Sequence, residues 1–311
     1  MPGVLDLVRL IGNTPMVELK GFKVPNECRV FVKLEYFNPT GSHKDRIALY
    51  MVRDAVERLG LREGDVVVEA SSGNTAISVT FVAKRFGLKP VIVVPRETSR
   101  EKVLLIRLLG AEVVEGDEDP SSPDYYVKVA ERVARERSGV FLNQYANPAN
   151  VRAHYETTAR EIWRQLDGCV DAFVMGVGTS GTVVGVGKYL KEKRGDTFVV
   201  AVTPRGSKLA GGPGVDRIEG LLHKDIPALY DPCIVDKVVE VSYREAVETC
   251  LELARREGIL AGISSGANVA AALKVAKELK PGSKIVTLIA DSALRYTNTL
   301  VTELQDIITQ K

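Results

Sequence analysis

The sequence predicts an α/β protein of two domains, each a three-layer α/β/α arrangement around a largely parallel sheet. Three observations carry that expectation. Strand-length apolar runs alternate with helix-length amphipathic segments along most of the 311 residues. The apolar runs are continuous, as in Val66-Val67-Val68, which suits strands covered by helices on both faces. The rhythm restarts after Asn147-Pro148-Ala149-Asn150, so a second set of βαβ units follows the first. An apolar content of 45% is ample for two cores.

The elements follow in order. Residues 29–34 read as a strand. Residues 45–59 read as a helix, because Ala48, Val52, Ala55 and Leu59 recur on one stripe. The stretch Gly60-Leu61-Arg62-Glu63-Gly64 breaks it. A strand at 66–70, a helix at 74–86 and a strand at 90–94 come next. Ser99 is placed to cap a helix that runs to Leu109 and stops at Gly110. A short strand at 112–114 leads through the turn Pro120-Ser121-Ser122-Pro123 into a charged helix at 124–137. The second half reads as helix 151–166, strand 172–175, helix 182–193 and strand 198–202. Residues 204–230 are rich in glycine and proline, with weak periodicity, and read as an active-site or interface loop. Strand 234–241, helices 244–257 and 267–279, and strand 284–289 complete the pattern. The domain boundary is expected near residues 144–150, with active residues at strand C-terminal ends facing a cleft.

Composition narrows the function. The formal charge is +2, from 42 basic and 40 acidic side chains without a basic tail, which disfavours a nucleic-acid partner. No apolar run reaches membrane-spanning length, and the first residues lack the basic start and apolar core of a signal peptide. Cys28, Cys169, Cys233 and Cys250 form no CxxC pair and read as thiols in a reducing compartment. His43, His154 and His223 show no zinc-ligand spacing, so no metal site is expected.

Three separated segments carry chemistry. Lys44 lies just after Pro39-Thr40-Gly41-Ser42, at a helix start that fixes its backbone while the amine leaves the turn. Taken alone it reads as a solvated helix-cap lysine; in a low-dielectric cleft it would bind an aldehyde. The loop Gly176-Val177-Gly178-Thr179-Ser180-Gly181-Thr182 joins a strand to a helix. Its glycines allow close approach to phosphate oxygens, and its hydroxyls and helix-terminal N–H groups are donors. It lacks the Gly-Lys-Ser/Thr ending of a nucleotide loop, so a monophosphate cofactor fits better than ATP or NAD. Asp291-Ser292 follows the last strand, where a serine hydroxyl can donate to an unprotonated pyridine nitrogen. Two further strand-to-helix turns are candidates. Ser71-Ser72-Gly73-Asn74-Thr75 can bind a carboxylate or simply cap a helix. Ser264, in Gly262-Ile263-Ser264-Ser265-Gly266, can line a cofactor ring or cap a helix.

These motifs, with Ile11-Gly12-Asn13-Thr14-Pro15, Lys33-Leu34-Glu35 and 143–150, stand in one order. In that order the chain resembles, almost end to end, the cysteine synthase family: O-acetylserine and O-phosphoserine sulfhydrylases of the fold type II pyridoxal-phosphate enzymes. The resemblance implies a tryptophan synthase beta subunit-like fold. It implies an N-terminal region, 1–148, that carries a smaller mobile domain at about 40–148, with 1–35 packed on the other domain, and a larger domain at 149–311. It implies pyridoxal 5′-phosphate as cofactor, with Lys44 as its Schiff-base anchor and proton-transfer base. Gly176, Gly178, Thr179, Ser180, Gly181 and Thr182 would hold the phosphate, Asn74 the ring oxygen and Ser292 the ring nitrogen. Ser71, Ser72, Asn74, Thr75 and Gln144 would grip the substrate carboxylate. The implied reaction replaces the β-substituent of an activated serine with sulfide, through an aminoacrylate, to give L-cysteine. A cytoplasmic homodimer is implied as well.

The chain also departs from the family pattern. Ser180 stands where glycine is usual in the phosphate loop, and Arg160 and Leu294 stand in altered motifs. Arg205 resembles the arginine that phosphoserine-using relatives set against the substrate phosphate, a task suited to a planar bidentate donor, although a solvated loop arginine is the plainer reading. O-Acetylserine and O-phosphoserine therefore both stand as substrates. A cystathionine β-synthase-like condensation of homocysteine with serine or an activated serine is the alternative. A catalytically silent scaffold is disfavoured by Lys44, the phosphate loop and Ser292.

Overall fold

The computed structural model describes residues 6–214, 216–221 and 225–295; His223 and the tail from Tyr296 lie outside them. The chain forms two compact units that interleave along the sequence. One comprises Met1–Gly12 and Asn38–Thr157; the other comprises Asn13–Phe37 and Thr158–Lys311. The chain thus passes from one unit to the other three times, after Gly12, Phe37 and Thr157.

The first unit carries a four-stranded parallel sheet in the order β5-β4-β3-β6, from β3 (Val66–Ala70), β4 (Lys89–Pro95), β5 (Glu112–Gly116) and β6 (Val140–Phe141). Val67 and Ile92 face one way, into a core shared with α1 (Lys44–Leu59) and α2 (Asn74–Arg85). Val68, Val91 and Val93 face the other way, onto Val129 and Val133 of α4 (Tyr126–Glu136). This two-sided burial is why those strands are apolar at successive positions. The other α-helices among the described residues of this unit are α3 (Arg100–Leu108) and α5 (Pro148–Ala153).

The second unit carries a six-stranded sheet in the order β1-β2-β10-β7-β8-β9. Its strands are β1 (Met16–Glu18), β2 (Arg29–Leu34), β7 (Ala172–Gly176), β8 (Phe198–Pro204), β9 (Lys237–Val241) and β10 (Lys284–Ile289). All pairs are parallel except β1 with β2. The core packs Val30, Val32, Val174, Val200, Val202 and Ile285 against α8 (Tyr243–Glu257) and α9 (Ile263–Ala276). The other α-helices among the described residues of this unit are α6 (Ala159–Gln165) and α7 (Gly181–Lys193). A fully buried Lys33 is paired with Glu161 at 2.7 Å and also donates to the Thr14 carbonyl.

The two largely parallel sheets agree with the expected fold class, and several local expectations change. Ser99 sits at the N-cap of α3 without a side-chain cap bond; a turn that bonds Thr98 N–H to the Pro95 carbonyl sets the helix entrance. The expected helix 151–166 is split by a π turn, His154–Thr158, at the third crossing between units. The α9 helix begins at Ile263, four residues early, because Gly262 is extended and its carbonyl takes the N–H of Ser265 and of Gly266. The β9 strand loses its first residues to a turn closed by Ile234 N–H on the Asp231 carbonyl.

Candidate active site

In the first unit, Lys44 is the first residue of α1 and half-buried. Its neighbours are locked. The buried Asp45 carboxylate accepts from the Thr40 N–H at 2.7 Å and from the Thr40 hydroxyl, which closes the Pro-Thr-Gly turn. The buried Arg46 guanidinium donates to the Thr157 hydroxyl at 3.0 Å. His43 is buried, with its ring 5.8 Å from that of His154. Burial holds His154 well below the usual imidazole pKa, and the charges of His43, Lys44 and Arg46 act in the same direction. His154 is therefore neutral at pH 7.

The Ser71–Thr75 segment and Gln144 come together in this unit. The β3 strand ends at Ala70, and α2 begins at Asn74 with Gly73 at its N-cap, so no side chain caps that helix. The Thr75 hydroxyl donates to the Gln144 side-chain oxygen at 2.7 Å, and the Gln144 amide nitrogen donates to the Ala70 carbonyl at 3.1 Å. Gln144 is thus a brace between the end of β3 and the first turn of α2. Ser72 is exposed, and Gly73 and Asn74 are partly so, which leaves this turn open to a ligand.

Beneath the turn lies Glu69, fully buried in β3. Its carboxylate accepts the backbone N–H of Ala70 at 3.0 Å and of Gln144 at 3.3 and 3.4 Å. Burial pushes its pKa up to about 8, against the opposing pull of those two N–H groups. Nearby, the Tyr126 and Tyr145 hydroxyls meet at 2.7 Å, and burial pushes both phenols up.

In the second unit, β7 ends at Gly176 and the loop 176–180 leads into α7. The loop lies close against residues 220–221. A Cβ on Gly178 would come within 2.5 Å of the Gly220 carbonyl oxygen, and one on Gly176 within 2.5 Å of a Leu221 methyl. Ser180 is the N-cap of α7 at φ +71°, a left-handed conformation that favours glycine. It is 3% exposed, and its hydroxyl has no hydrogen-bond partner among the described residues. A buried, unpartnered hydroxyl held in a strained backbone at a helix N-terminus can donate to an anion.

Ser264 and Ser292 belong to the same knot of backbone. Gly220 packs toward Ser264, whose side chain would lie 3.8 Å from a Cβ at 220. Ala261 forms an isolated antiparallel bridge with Ser292, and Gly262 N–H bonds the Asp291 carbonyl. Arg205 is placed differently. Its side chain is 61% exposed and pairs with Asp216 at 3.2 Å, while Asp216 also takes the Tyr243 N–H. No described contact joins Arg205 to Ser264, Ser292 or the glycine loop.

Sequence reasoning passes over two buried polar residues that bond to these segments. Glu69 is a single carboxylate in an otherwise apolar strand, and Asn268 is a single amide among Ala267, Val269, Ala270 and Ala271 of α9. A lone polar residue inside an apolar run is the signal available for each. Among the described residues, no group of three or more His, Cys, Asp or Glu side chains is placed to hold a metal ion. No described helix is long and apolar enough to cross a membrane.

Residues 7–291 match the pyridoxal-phosphate dependent enzyme family. Over 299 residues the chain is 40% identical to a cysteine synthase of Staphylococcus aureus (strain Mu50), with 94% of this chain and 96% of the relative covered. It is 36% identical to a cystathionine beta-synthase of Apis mellifera over 96% of its own length, and spans 61% of that longer protein. The solved structure of O-acetyl serine sulfhydrylase isoform 3 from Entamoeba histolytica superposes with a TM-score of 0.89 at 33% identity, covering 97% of this chain and 93% of that one.

Proposed function

This chain belongs to the pyridoxal-phosphate dependent enzymes, and from that premise we propose that it makes L-cysteine from an activated serine and sulfide by β-replacement. The observation that carries the reading is the unpartnered Ser180 hydroxyl at the head of α7, in a cradle too tight for a Cβ at Gly178. Those features fit a phosphate monoester. Gly176, Gly178, Thr179, Ser180, Gly181 and Thr182 would hold it, with Ser264 beside them. Bound pyridoxal phosphate supplies an electron-withdrawing aldehyde and ring, which loosen the α-proton and the β-substituent of an amino acid.

The protein positions the groups and moves the proton. Lys44 Nζ would hold the cofactor through its aldehyde, and the same amine would take the substrate α-proton and return it to the same carbon. Asn74 would donate to the ring oxygen. The Ser292 hydroxyl would donate to the ring nitrogen and leave it unprotonated, which would favour loss of a β-substituent over deeper carbanion chemistry. Ser71, Ser72, Asn74, Thr75 and the Gln144 segment bind the carboxylate at the open turn ahead of α2. The two units serve as two domains of one enzyme, which we place in the cytoplasm as a homodimer.

Ser180 offers a sharp check. Ser180→Gly relieves a left-handed strain of about 1–2 kcal/mol and restores about 0.4–1 kcal/mol of unfolded-state freedom, so the cofactor-free protein should gain between about 0 and 1.6 kcal/mol of stability. It also removes a donor to a charged oxygen, which should weaken pyridoxal phosphate roughly 10–100-fold while leaving phosphate-free pyridoxal unchanged. Equal binding of pyridoxal phosphate by both proteins would show that this hydroxyl does not meet the phosphate.

The substrate is settled by a panel on purified enzyme: O-acetylserine, O-phosphoserine and serine, each with sulfide or homocysteine. Cysteine from neither activated serine would overturn the proposal. Cystathionine as the faster product would favour the second reading, which the honeybee relative supports. For Arg205→Ala, a role on the leaving group predicts a KM for O-phosphoserine raised about tenfold or more, with O-acetylserine unchanged. Equal loss on both substrates would leave Arg205 as the partner of Asp216 alone.

A further inference from the structure

The ladder between β7 and β10 closes early. Its parallel pairs are Ile285↔Ala172 and Val286↔Phe173. The β7 strand stays with β8 as far as Gly176↔Val202, and β10 stays with β2 as far as Ile289↔Leu34. The two central strands therefore part toward their C-terminal ends, where parallel sheets open a crevice. The Val177 N–H turns to β8, onto the Val202 carbonyl, so the Gly176 N–H before it is directed to the β10 side.

Asn268 of α9 fills this opening. It is 1% exposed. Its Oδ1 accepts the Gly176 N–H at 2.7 Å, and its Nδ2 donates to the Leu288 carbonyl at 3.0 Å and lies 3.7 Å from Met175 Sδ. The side-chain amide thus replaces a missing rung between β7 and β10. One turn earlier on the same helix, the Ser265 hydroxyl oxygen accepts the Ala290 N–H at 2.9 Å. A single helix stripe pins the residue where the phosphate loop begins and the strand end just before Ser292. A Cβ on Gly176 would approach Asn268 Oδ1 to 2.9 Å, so the fit has no slack.

We infer that Asn268 is a positioning residue that sets the separation between the phosphate loop and the Ser292 hydroxyl, so that one rigid cofactor reaches both. The inference rests on the pyridoxal-phosphate reading above. Asn268 acts through the backbone of Gly176 and Leu288. A spacer matters only to a ligand whose two ends are joined, and that distinguishes it from a core amide that merely supports the sheet.

The test compares holoenzyme and Asn268→Leu for retention of pyridoxal phosphate, and for binding of pyridoxal supplied with free inorganic phosphate. We expect the variant to lose roughly 10–100-fold in affinity for the joined cofactor and to bind the separated pair within about threefold of the parent. The phosphorus-31 resonance of bound cofactor should shift as well. Unchanged retention, or equal losses for the joined and separated ligands, overturns the spacer role. Asn268→Ser, which keeps a short donor and acceptor, serves by the same criteria if the leucine variant does not fold. Failure of the parent protein to bind pyridoxal phosphate would instead defeat the underlying reading, and this role with it.

Discussion

Lys44→Ala will leave the protein folded, abolish covalent retention of pyridoxal phosphate and lower turnover by at least about 10³-fold. The turn that carries Lys44 is held by its neighbours. Asp45 is sealed to Thr40 and Arg46 to Thr157, and the Lys44 N–H rests on Ser42 Oγ at 3.2 Å, a bond that alanine keeps. A half-buried side chain outside the core changes stability by about 0.5 kcal/mol or less when truncated, so the melting temperature should barely move. The measurement is borohydride treatment followed by denaturation and mass analysis. Cofactor fixed to the parent but not to the variant is the expected result. Cofactor still fixed in the variant would mean another amine is the anchor.

Glu69→Gln will flatten the pH dependence of stability and favour the variant at alkaline pH. The carboxyl has an ordinary value of 4.5 and is pushed up to about 8 in the fold, first by burial. Between those values the folded state holds more protons than the unfolded state, so stability falls as pH rises. The contribution is fully present below about 4.5 and lost above about 8. A shift of this size corresponds to roughly 4–5 kcal/mol across the window. Glutamine keeps an oxygen for the Ala70 and Gln144 N–H groups but brings a buried NH2 that needs a partner, which costs about 1–3 kcal/mol. A net gain of about 1–3 kcal/mol at pH 9, and none at pH 5, is expected from urea denaturation. Parallel pH profiles for the two proteins would refute a shifted Glu69.

The strands were legible where burial on both faces removes alternation, as at Val66-Val67-Val68 and Phe173-Val174. Met16-Val17-Glu18 and Val140-Phe141 were not, because two or three residues carry no periodicity. The π turn at His154 gave no warning, since a helix with one extra residue keeps nearly the same pattern. The break in sequence rhythm near residues 144–150 registers one change of unit, whereas the contacts set three crossings. The glycine loop and the Ser71–Thr75 turn announced themselves through small and polar residues at strand ends. Asn268 did not, because its partners are backbone groups of Gly176 and Leu288, distant in sequence. Arg205 was visible as a charge, but its pairing with Asp216 follows from how the intervening loop folds back.

The interleaving of the units governs how such a gene can be recombined. A chimaera joined at residue 157 would take β1 and β2 from one parent and the neighbouring β10 from the other, placing the seam within one six-stranded sheet. The mismatched side chains would then meet along the β2–β10 ladder, from Arg29 against Lys284 to Leu34 against Ile289. Independent expression of the two halves would leave β10 without β2 and expose a raw sheet edge. Exchanges that respect the fold must move residues 13–37 together with everything from 158 onward, so the natural unit of inheritance here is discontinuous.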